Sequence, residues 1–328
     1  MIAGRRIREE LGELFPGAGF DKPLRTAVLL PCYNEEAAIG DVVARFREAL
    51  PAATVYVYDN NSTDGTSAIA AKAGAVVRRE ARQGKGNVVR RMFADIDADI
   101  YVLADGDLTY DASAAGRLVE RLVGGNLDMV VGTRVGVNGS YPKGHRLGNL
   151  MINQIVTRLF GVGFTDILSG YRVMSRRFAK SFPATSGGFE IETELSVHAL
   201  DLKLATEEMA VPYGVRLENS NSKLKTFRDG FKILLSILLM YKALQPFRFF
   251  GFIFLVLALT SLGLAVPLFQ TYFETGLVPR FPTAILAGGI MQLGFMSLIC
   301  GFIVEAISGS RREMKRMRYL ELPAPGRN

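Results

Sequence analysis

Tryptophan is absent from this 328-residue chain, while cysteine occurs only at Cys32 and Cys300 and histidine only at His145 and His198. Two distant cysteines with no pairing pattern exclude a disulfide scaffold and a cysteine-type zinc site. Two histidines leave no multi-histidine metal centre. Charge is scarce too: 22% of residues are charged against 49% hydrophobic, which excludes disorder as the main state. No G-x-G-x-x-G follows the first apolar run and no G-x-x-x-x-G-K-S/T occurs, so a dinucleotide fold and a P-loop lack support. The first forty residues hold no secretory signal, because Arg5 and Arg6 lead into Ile-Arg-Glu-Glu and not into an apolar region. A pI near 9.4 admits nucleic acid or an anionic membrane surface as partner, and a mean hydropathy of +0.19 places part of the chain in lipid.

The lipid-facing part is C-terminal. Phe249–Phe269 runs 21 residues without a charge, and Thr283–Ile307 runs 25 with one, Glu305, near its end. At ~1.5 Å per residue, each can cross a ~30 Å hydrocarbon core. Lys232, Lys242 and Arg248 precede the first run, and Arg311, Arg312, Lys315, Arg316 and Arg318 follow the second. The positive-inside rule then puts both ends in the cytoplasm and the loop at 270–282 outside. Residues 231–242 are apolar at helical spacing but too short to span, and read as a helix in the membrane interface. Glu305 is expected to snorkel to the headgroups. The chain divides into an N-terminal segment (1–24), a catalytic domain (25–228), an interfacial helix (229–246), a transmembrane hairpin (247–308; spans 249–269 and 283–307) and a basic tail (309–328). A neighbouring copy could pack on Gly288 and Gly289. The expected location is the inner (plasma) membrane, multi-pass, with the catalytic domain cytoplasmic.

Before the hairpin, strand-length apolar runs alternate with helical patterns: Thr26–Pro31, Thr54–Tyr58, Val76–Val77, Ile100–Ala104 and Met129–Gly132. Such βα repetition predicts an α/β domain with a mostly parallel sheet. Open sheets of this kind bind ligands at the carboxyl ends of their strands. Three of those ends here are Cys32-Tyr-Asn-Glu-Glu, Asp59-Asn-Asn-Ser and Asp105-Gly-Asp107. The last delivers two carboxylates around a glycine that lets a bound group approach the backbone. Such a pair can hold Mg²⁺ or Mn²⁺ on a diphosphate, or simply cap a turn.

In order, Pro31-Cys-Tyr-Asn-Glu-Glu, Asp59-Asn-Asn-Ser-Thr-Asp-Gly-Thr, Gly84-Lys-Gly and Asp105-Gly-Asp resemble family 2 glycosyltransferases of the Rossmann-like GT-A fold. Gly132-Thr-Arg134, Arg146-Leu-Gly-Asn149, Asp166-Ile-Leu-Ser-Gly-Tyr-Arg172 and Ser222-Lys-Leu224 narrow the likeness. They are similar to the dolichyl-phosphate mannose synthase and bacterial polyprenyl-phosphate glycosyltransferase branch. The resemblance implies a nucleotide-sugar donor held by Pro31, Tyr33, Glu35, Asp59, Lys85 and Asp105, and a metal held by Asp107 with Asp105. It implies that Arg134, Arg146 and Arg216, with Ser222 and Lys223, meet the anionic acceptor, an undecaprenyl or dolichyl phosphate, or the diphosphate. Asp166 would position acceptor or sugar, or cap a turn. Two positions depart from the pattern. Asn60 stands where many relatives carry a second acid, and Thr109 where mannose synthases often have glutamine.

A cation at a helix start, as Arg146 is expected to be, sits at the unfavourable end of the macrodipole unless an anion is also bound there. Glu190 and Glu194 fall on one helical face, so one of them could point into the cleft, with Glu192 solvated. The sequence also admits a processive polysaccharide synthase, a transferase using another lipid or glycan acceptor, and a membrane-tethered regulator that binds nucleotide sugar without turnover. The missing tryptophan and the two spans argue against the first, and the Asp105/Asp107 pair against the last. Nucleic-acid binding lacks interleaved aromatics and a recognisable module.

Overall fold

The computed structural model describes residues 24–136, 154–159, 164–214 and 226–325. Arg146, Arg216, Ser222 and Lys223, and with them most of the expected acceptor residues, lie outside these ranges. The chain forms two units, one ending at Leu234 and resuming at Lys315, the other Leu235–Met314.

The first unit is built on a seven-stranded sheet. Its strands are β1 (Thr26–Cys32), β2 (Thr54–Asp59), β3 (Val76–Arg79), β4 (Ile100–Leu103), β5 (Met129–Gly136), β6 (Arg172–Ser175) and β7 (Thr206–Tyr213), in the order β3-β2-β1-β4-β6-β5-β7. Helices α1 (Ile39–Ala49), α2 (Thr66–Lys72), α3 (Lys85–Asp95), α4 (Ala115–Gly124), α5 (Arg176–Ser181) and α6 (Ile191–Leu202) connect or cover it. β1 and β4 are continuous apolar runs because helices cover both faces. Amphipathic α1 turns Ile39, Val42, Val43 and Phe46 onto the sheet, one face at helical spacing. The five strands expected from the sequence are present, and the sheet is mostly parallel as expected.

Two further strands complete it. β6 runs antiparallel to both β4 and β5, with Leu103 opposite Arg172 and Val131 opposite Arg172. β7 pairs in parallel with β5 at the sheet edge, where Pro212 is tolerated. Because β6 alone is reversed, the start of β6 lies beside the carboxyl end of β4 and opposite Val131 of β5. The segment 164–171 is thereby carried to the edge where Asp59, Asp105 and Asp107 emerge.

The end of the basic tail also belongs to this unit. Lys315 pairs with buried Asp201 at 3.2 Å, the Tyr319 hydroxyl donates to Asp128 at 3.0 Å, and Arg177 lies 4.8 Å over the Tyr319 ring. Lys315 and Arg316, counted in the sequence among the cations that follow the second span, bond to this unit, Arg316 through the Leu202 carbonyl.

The second unit holds the end of α7 (Thr226–Leu244) and two long helices, α8 (Pro246–Thr275) and α9 (Phe281–Leu320). α8 and α9 are long and apolar enough to cross a membrane, and only 11% of each apolar window is buried, unlike the core helix of a soluble protein. They pack closely at Gly294 against Phe254 and at Gly301 against Phe250, whereas among the described residues a Cβ on Gly288 or Gly289 would point into open space. Ser261 donates to the Ala287 carbonyl at 2.7 Å and Ser297 to the Phe250 carbonyl at 3.1 Å. Glu305 does not simply reach for the interface. It accepts the Phe247 backbone N–H at 3.2 Å, satisfying an orphan donor at the start of α8.

Candidate active site

The carboxyl edge of the sheet gathers acids. Cys32 is buried at the end of β1, and burial first, then the charges of Glu35, Asp59, Asp105 and Asp107, push its thiol up. Gly106 packs on the Cys32 sulfur so tightly that a Cβ would overlap it, which fixes the turn between the two aspartates. Asp107 is 2% exposed, and its Oδ1 accepts from the Thr109 hydroxyl at 2.5 Å and the Thr109 N–H at 3.2 Å. Thr109 therefore positions the Asp107 carboxylate. Asp59 accepts the Ser62 N–H at 2.8 Å and the Ser67 hydroxyl at 2.6 Å, so the β2 end is held by its own turn. Pro31 lies within β1 opposite Tyr58, and Tyr33 stands at the exposed lip.

Asn60, the departure from the family pattern, has a structural role that an acid could not fill. Its amide donates to the Glu80 and Arg82 carbonyls at 2.9 and 2.8 Å, and its oxygen accepts the Gly84 N–H at 2.7 Å. A carboxylate has no proton for either carbonyl. The loop so held delivers Gly84-Lys85-Gly86 into the site. Gly84 adopts φ 128°, and a Cβ on Gly84 or Gly86 would overlap the Gly187 or Ser186 carbonyl. Lys85 pairs with Asp105 and, at 2.5 Å, with Glu192. Burial opposes the ammonium charge, but the attraction of Asp105 and Glu192 outweighs it and holds Lys85 above its ordinary value.

Glu192 is thus not solvated, as its place between Glu190 and Glu194 suggested. Its side chain is 7% exposed. α6 is buried on every side over 191–199, so periodicity carries no information about which acid faces the cleft. Glu194 serves the loop before α6, accepting the Thr185 and Ser186 N–H groups at 2.8 Å.

A second cluster lies at the β5–β7 side. Arg134, inside β5, makes a fork to Asp166, Nε to Oδ2 at 2.7 Å and Nη2 to Oδ1 at 2.6 Å, and its N–H donates to Oδ2 at 3.1 Å. Asp166 is held in turn by Glu208, which accepts the Thr165 and Asp166 N–H groups at 2.8 and 3.2 Å. The Arg134 guanidinium lies 5.6 Å over Tyr213, and Tyr213 packs on Tyr110 at 5.2 Å. Arg172 braces the segment before β6. It is fully buried, donates to the Ser169 and Ile167 carbonyls at 2.9 and 2.7 Å, and burial pulls its pKa down to about 10 against the opposing charge of Glu192.

The family 2 profile, "Glycosyl transferase family 2", matches residues 27–182. Glycosyltransferase AglJ of Haloferax volcanii is 34% identical over 303 residues, covering 91% of this chain and 99% of that protein. The chain belongs to glycosyl transferase family 2. The dolichyl-phosphate hexose transferase of the same organism is 28% identical over 212 residues, 64% of this chain and 91% of that protein. Among solved structures, glucosyl-3-phosphoglycerate synthase from Mycobacterium tuberculosis, crystallised with Mn²⁺, UDP-glucose and phosphoglyceric acid, aligns with a TM-score of 0.57 at 24% identity. It covers 68% of this chain and 82% of that one. The sheet of this family 2 glycosyltransferase is of GT-A type.

A divalent cation fits the residues present. Among the described residues no group of three His, Cys, Asp or Glu side chains could hold a metal alone. A hard cation that takes most of its ligands from a diphosphate needs only one or two carboxylates. The turn after β4 supplies two, Asp105 and Asp107, and the first of them already pairs with a cation, the Lys85 ammonium.

Proposed function

We propose that this glycosyltransferase moves a hexose from a UDP- or GDP-sugar to a membrane polyprenyl phosphate, undecaprenyl or dolichyl, with inversion at the anomeric carbon. The product would serve cell-envelope glycan assembly or modification. The observation that carries the donor side is the acidic turn Asp105-Gly106-Asp107 at the carboxyl edge, flanked by Asp59 and Lys85. A diphosphate entering so acidic a pocket needs a cation with it, and Asp107 with Asp105 would hold Mg²⁺ or Mn²⁺. When bound, that ion offsets the charge developing on the leaving nucleoside diphosphate. Pro31, Tyr33, Glu35 and Asp59 would line the base and ribose.

Two features support the acceptor. One is the pair of exposed apolar helices; the other is the resemblance to a protein named dolichyl-phosphate hexose transferase. A phosphate monoester has a second pKa near ~6 and is anionic at neutral pH, so attack needs positioning more than a strong base. Attack opposite the departing diphosphate inverts the centre. Arg134, Arg146 and Arg216, with Ser222 and Lys223, would hold the acceptor phosphate, and Asp166 would position Arg134.

The test incubates membranes with a panel of labelled nucleotide sugars and polyprenyl phosphate and reads lipid-extractable product. One donor is expected to label the lipid. Donor binding without product would favour the regulator, and a labelled glycan or other lipid a different acceptor. With the active donor, Arg146→Ala or Arg216→Ala should raise the lipid-phosphate requirement roughly 10- to 150-fold, the worth of a charge-assisted contact of ~1.5–3 kcal/mol.

We also place the catalytic domain in the cytoplasm on a hairpin. Besides the cation flanks, this is supported by Lys315 and Tyr319, which follow the second span and bond to the unit that precedes the first. Reporters before Met1 and after Asn328 should both read cytoplasmic, and one inserted at Gly276 external. A cytoplasmic reading at Gly276 would mean that the spans do not cross.

A further inference from the structure

Lys85 is caged by three parts of the chain. It opens α3, it pairs with Asp105 from the turn after β4, and it pairs at 2.5 Å with Glu192 from the first turn of α6. The backbone of Gly170 closes a further side, since a Cβ there would lie 3.1 Å from the ammonium and 2.9 Å from Asp105. The loop before α6 is pressed on Gly84 and Gly86, with the Gly86 N–H donating to the Gly188 carbonyl at 3.1 Å, so Glu192 arrives at a fixed place.

Stability alone does not account for this cage. A lysine at a helix start faces the positive end of the macrodipole. A buried ion pair is weak evidence of stabilisation. Among the described residues the second Glu192 oxygen is buried without a hydrogen-bond partner, so half of this carboxylate is left to act on the charge beside it. The two counterions also differ. Side-chain exposure is 7% for Glu192 and 31% for Asp105, so Asp105 alone is open to an incoming ion.

We propose that Glu192 is the permanent counterion of Lys85 and Asp105 its exchangeable one, which makes Glu192 a positioning residue of the donor site. In the donor-free protein Lys85 occupies the place of a cation beside Asp105. With Asp105 engaged by a divalent cation, Lys85 would keep Glu192 and could aim its remaining N–H donors at the diphosphate. Without Glu192, the same exchange strands a buried ammonium. The proposal rests on the nucleotide-sugar reading of the site, yet the cage can be tested without turnover.

The experiment acylates lysines of the full chain in detergent with an amine-reactive ester and follows Lys85 by peptide mass spectrometry, with and without Mn²⁺. In the wild type, Lys85 should label slowly in both conditions. In Glu192→Gln, Mn²⁺ alone should speed its labelling about tenfold, while Lys232 and Lys242 stay unchanged. Glu192→Asp, which restores the charge on a shorter stem, should recover part of the protection. A second measurement titrates UDP and GDP in the presence of Mn²⁺. Glu192→Gln should weaken the nucleotide that binds by about tenfold and raise the donor KM more than it lowers kcat, the mark of lost positioning of the diphosphate. Lys85 labelling that is indifferent to Glu192, or slow labelling in Glu192→Gln with Mn²⁺, overturns the cage. Failure of both nucleotides to bind wild-type protein overturns the donor reading instead, and the Mn²⁺-only labelling still decides the cage.

Discussion

Asp107→Asn is expected to reduce sugar transfer more than a hundredfold while moving the thermal transition by no more than about 2 °C. The two effects separate because the Asp107 carboxylate has two functions. Its Oδ1 accepts two hydrogen bonds from Thr109, and an asparagine oxygen can accept both. Its negative charge, in a turn 2% exposed, is what a divalent cation would need, and an amide cannot supply it. Removing one preorganised electrostatic element at a reacting centre typically costs ~10²–10³ in rate. The measurement is transfer rate and thermal unfolding on the same preparation, with a parallel wild-type sample under exhaustive chelation. Full activity after chelation, or an Asp107→Asn variant at the wild-type rate, would show that this carboxylate holds no metal.

Breaking the Arg134–Asp166 fork should have the largest effect on stability. The side chains are 14% and 9% exposed, and Asp166 takes three hydrogen bonds from Arg134. Asp166→Ala removes the carboxylate that accepts this fork from a guanidinium lying 5.6 Å over the Tyr213 ring. Removing one partner of a buried pair costs about 3–5 kcal/mol. At about 2–4 °C per kcal/mol for a domain of this size, the transition should fall by roughly 6–20 °C. Arg134→Lys keeps the charge without the planar fork and should fall by less. Transfer assayed well below both transitions then separates scaffold from site. A folded Asp166→Ala variant with near wild-type activity would assign the pair to the scaffold alone.

The unequal legibility of the two site clusters has a structural origin. Asp59, Asp105 and Asp107 could be found because each ends an apolar strand of a parallel array, and strand ends are visible as a change from apolar to acidic residues. Glu192 could not, because α6 is buried all round and offers no polar face to contrast with an apolar one. β6 was hidden by its brevity and by an arginine at its first position, and β7 by Glu207 and Glu208, which an edge strand tolerates. Arg172 closes the Asp166–Arg172 motif in the sequence. Its fully buried place at the start of β6, bonded to carbonyls, makes it a brace for the 164–171 turn.

By itself the sequence determined the α/β class, the five parallel strands, the acidic strand ends and the two helices long enough to cross a membrane. These follow from local composition and periodicity, because a strand or an apolar helix is specified by residues that are neighbours along the chain. Tertiary structure decided the rest. It set the reversal of β6 that brings Asp166 to the acidic edge, the seating of Lys85 between Asp105 and Glu192, and the return of Tyr319 to Asp128 across 191 residues of sequence. Each of these joins charged or polar groups far apart in the chain. Such pairings depend on which surfaces the packed core brings together, and that is not written in the spacing of either partner.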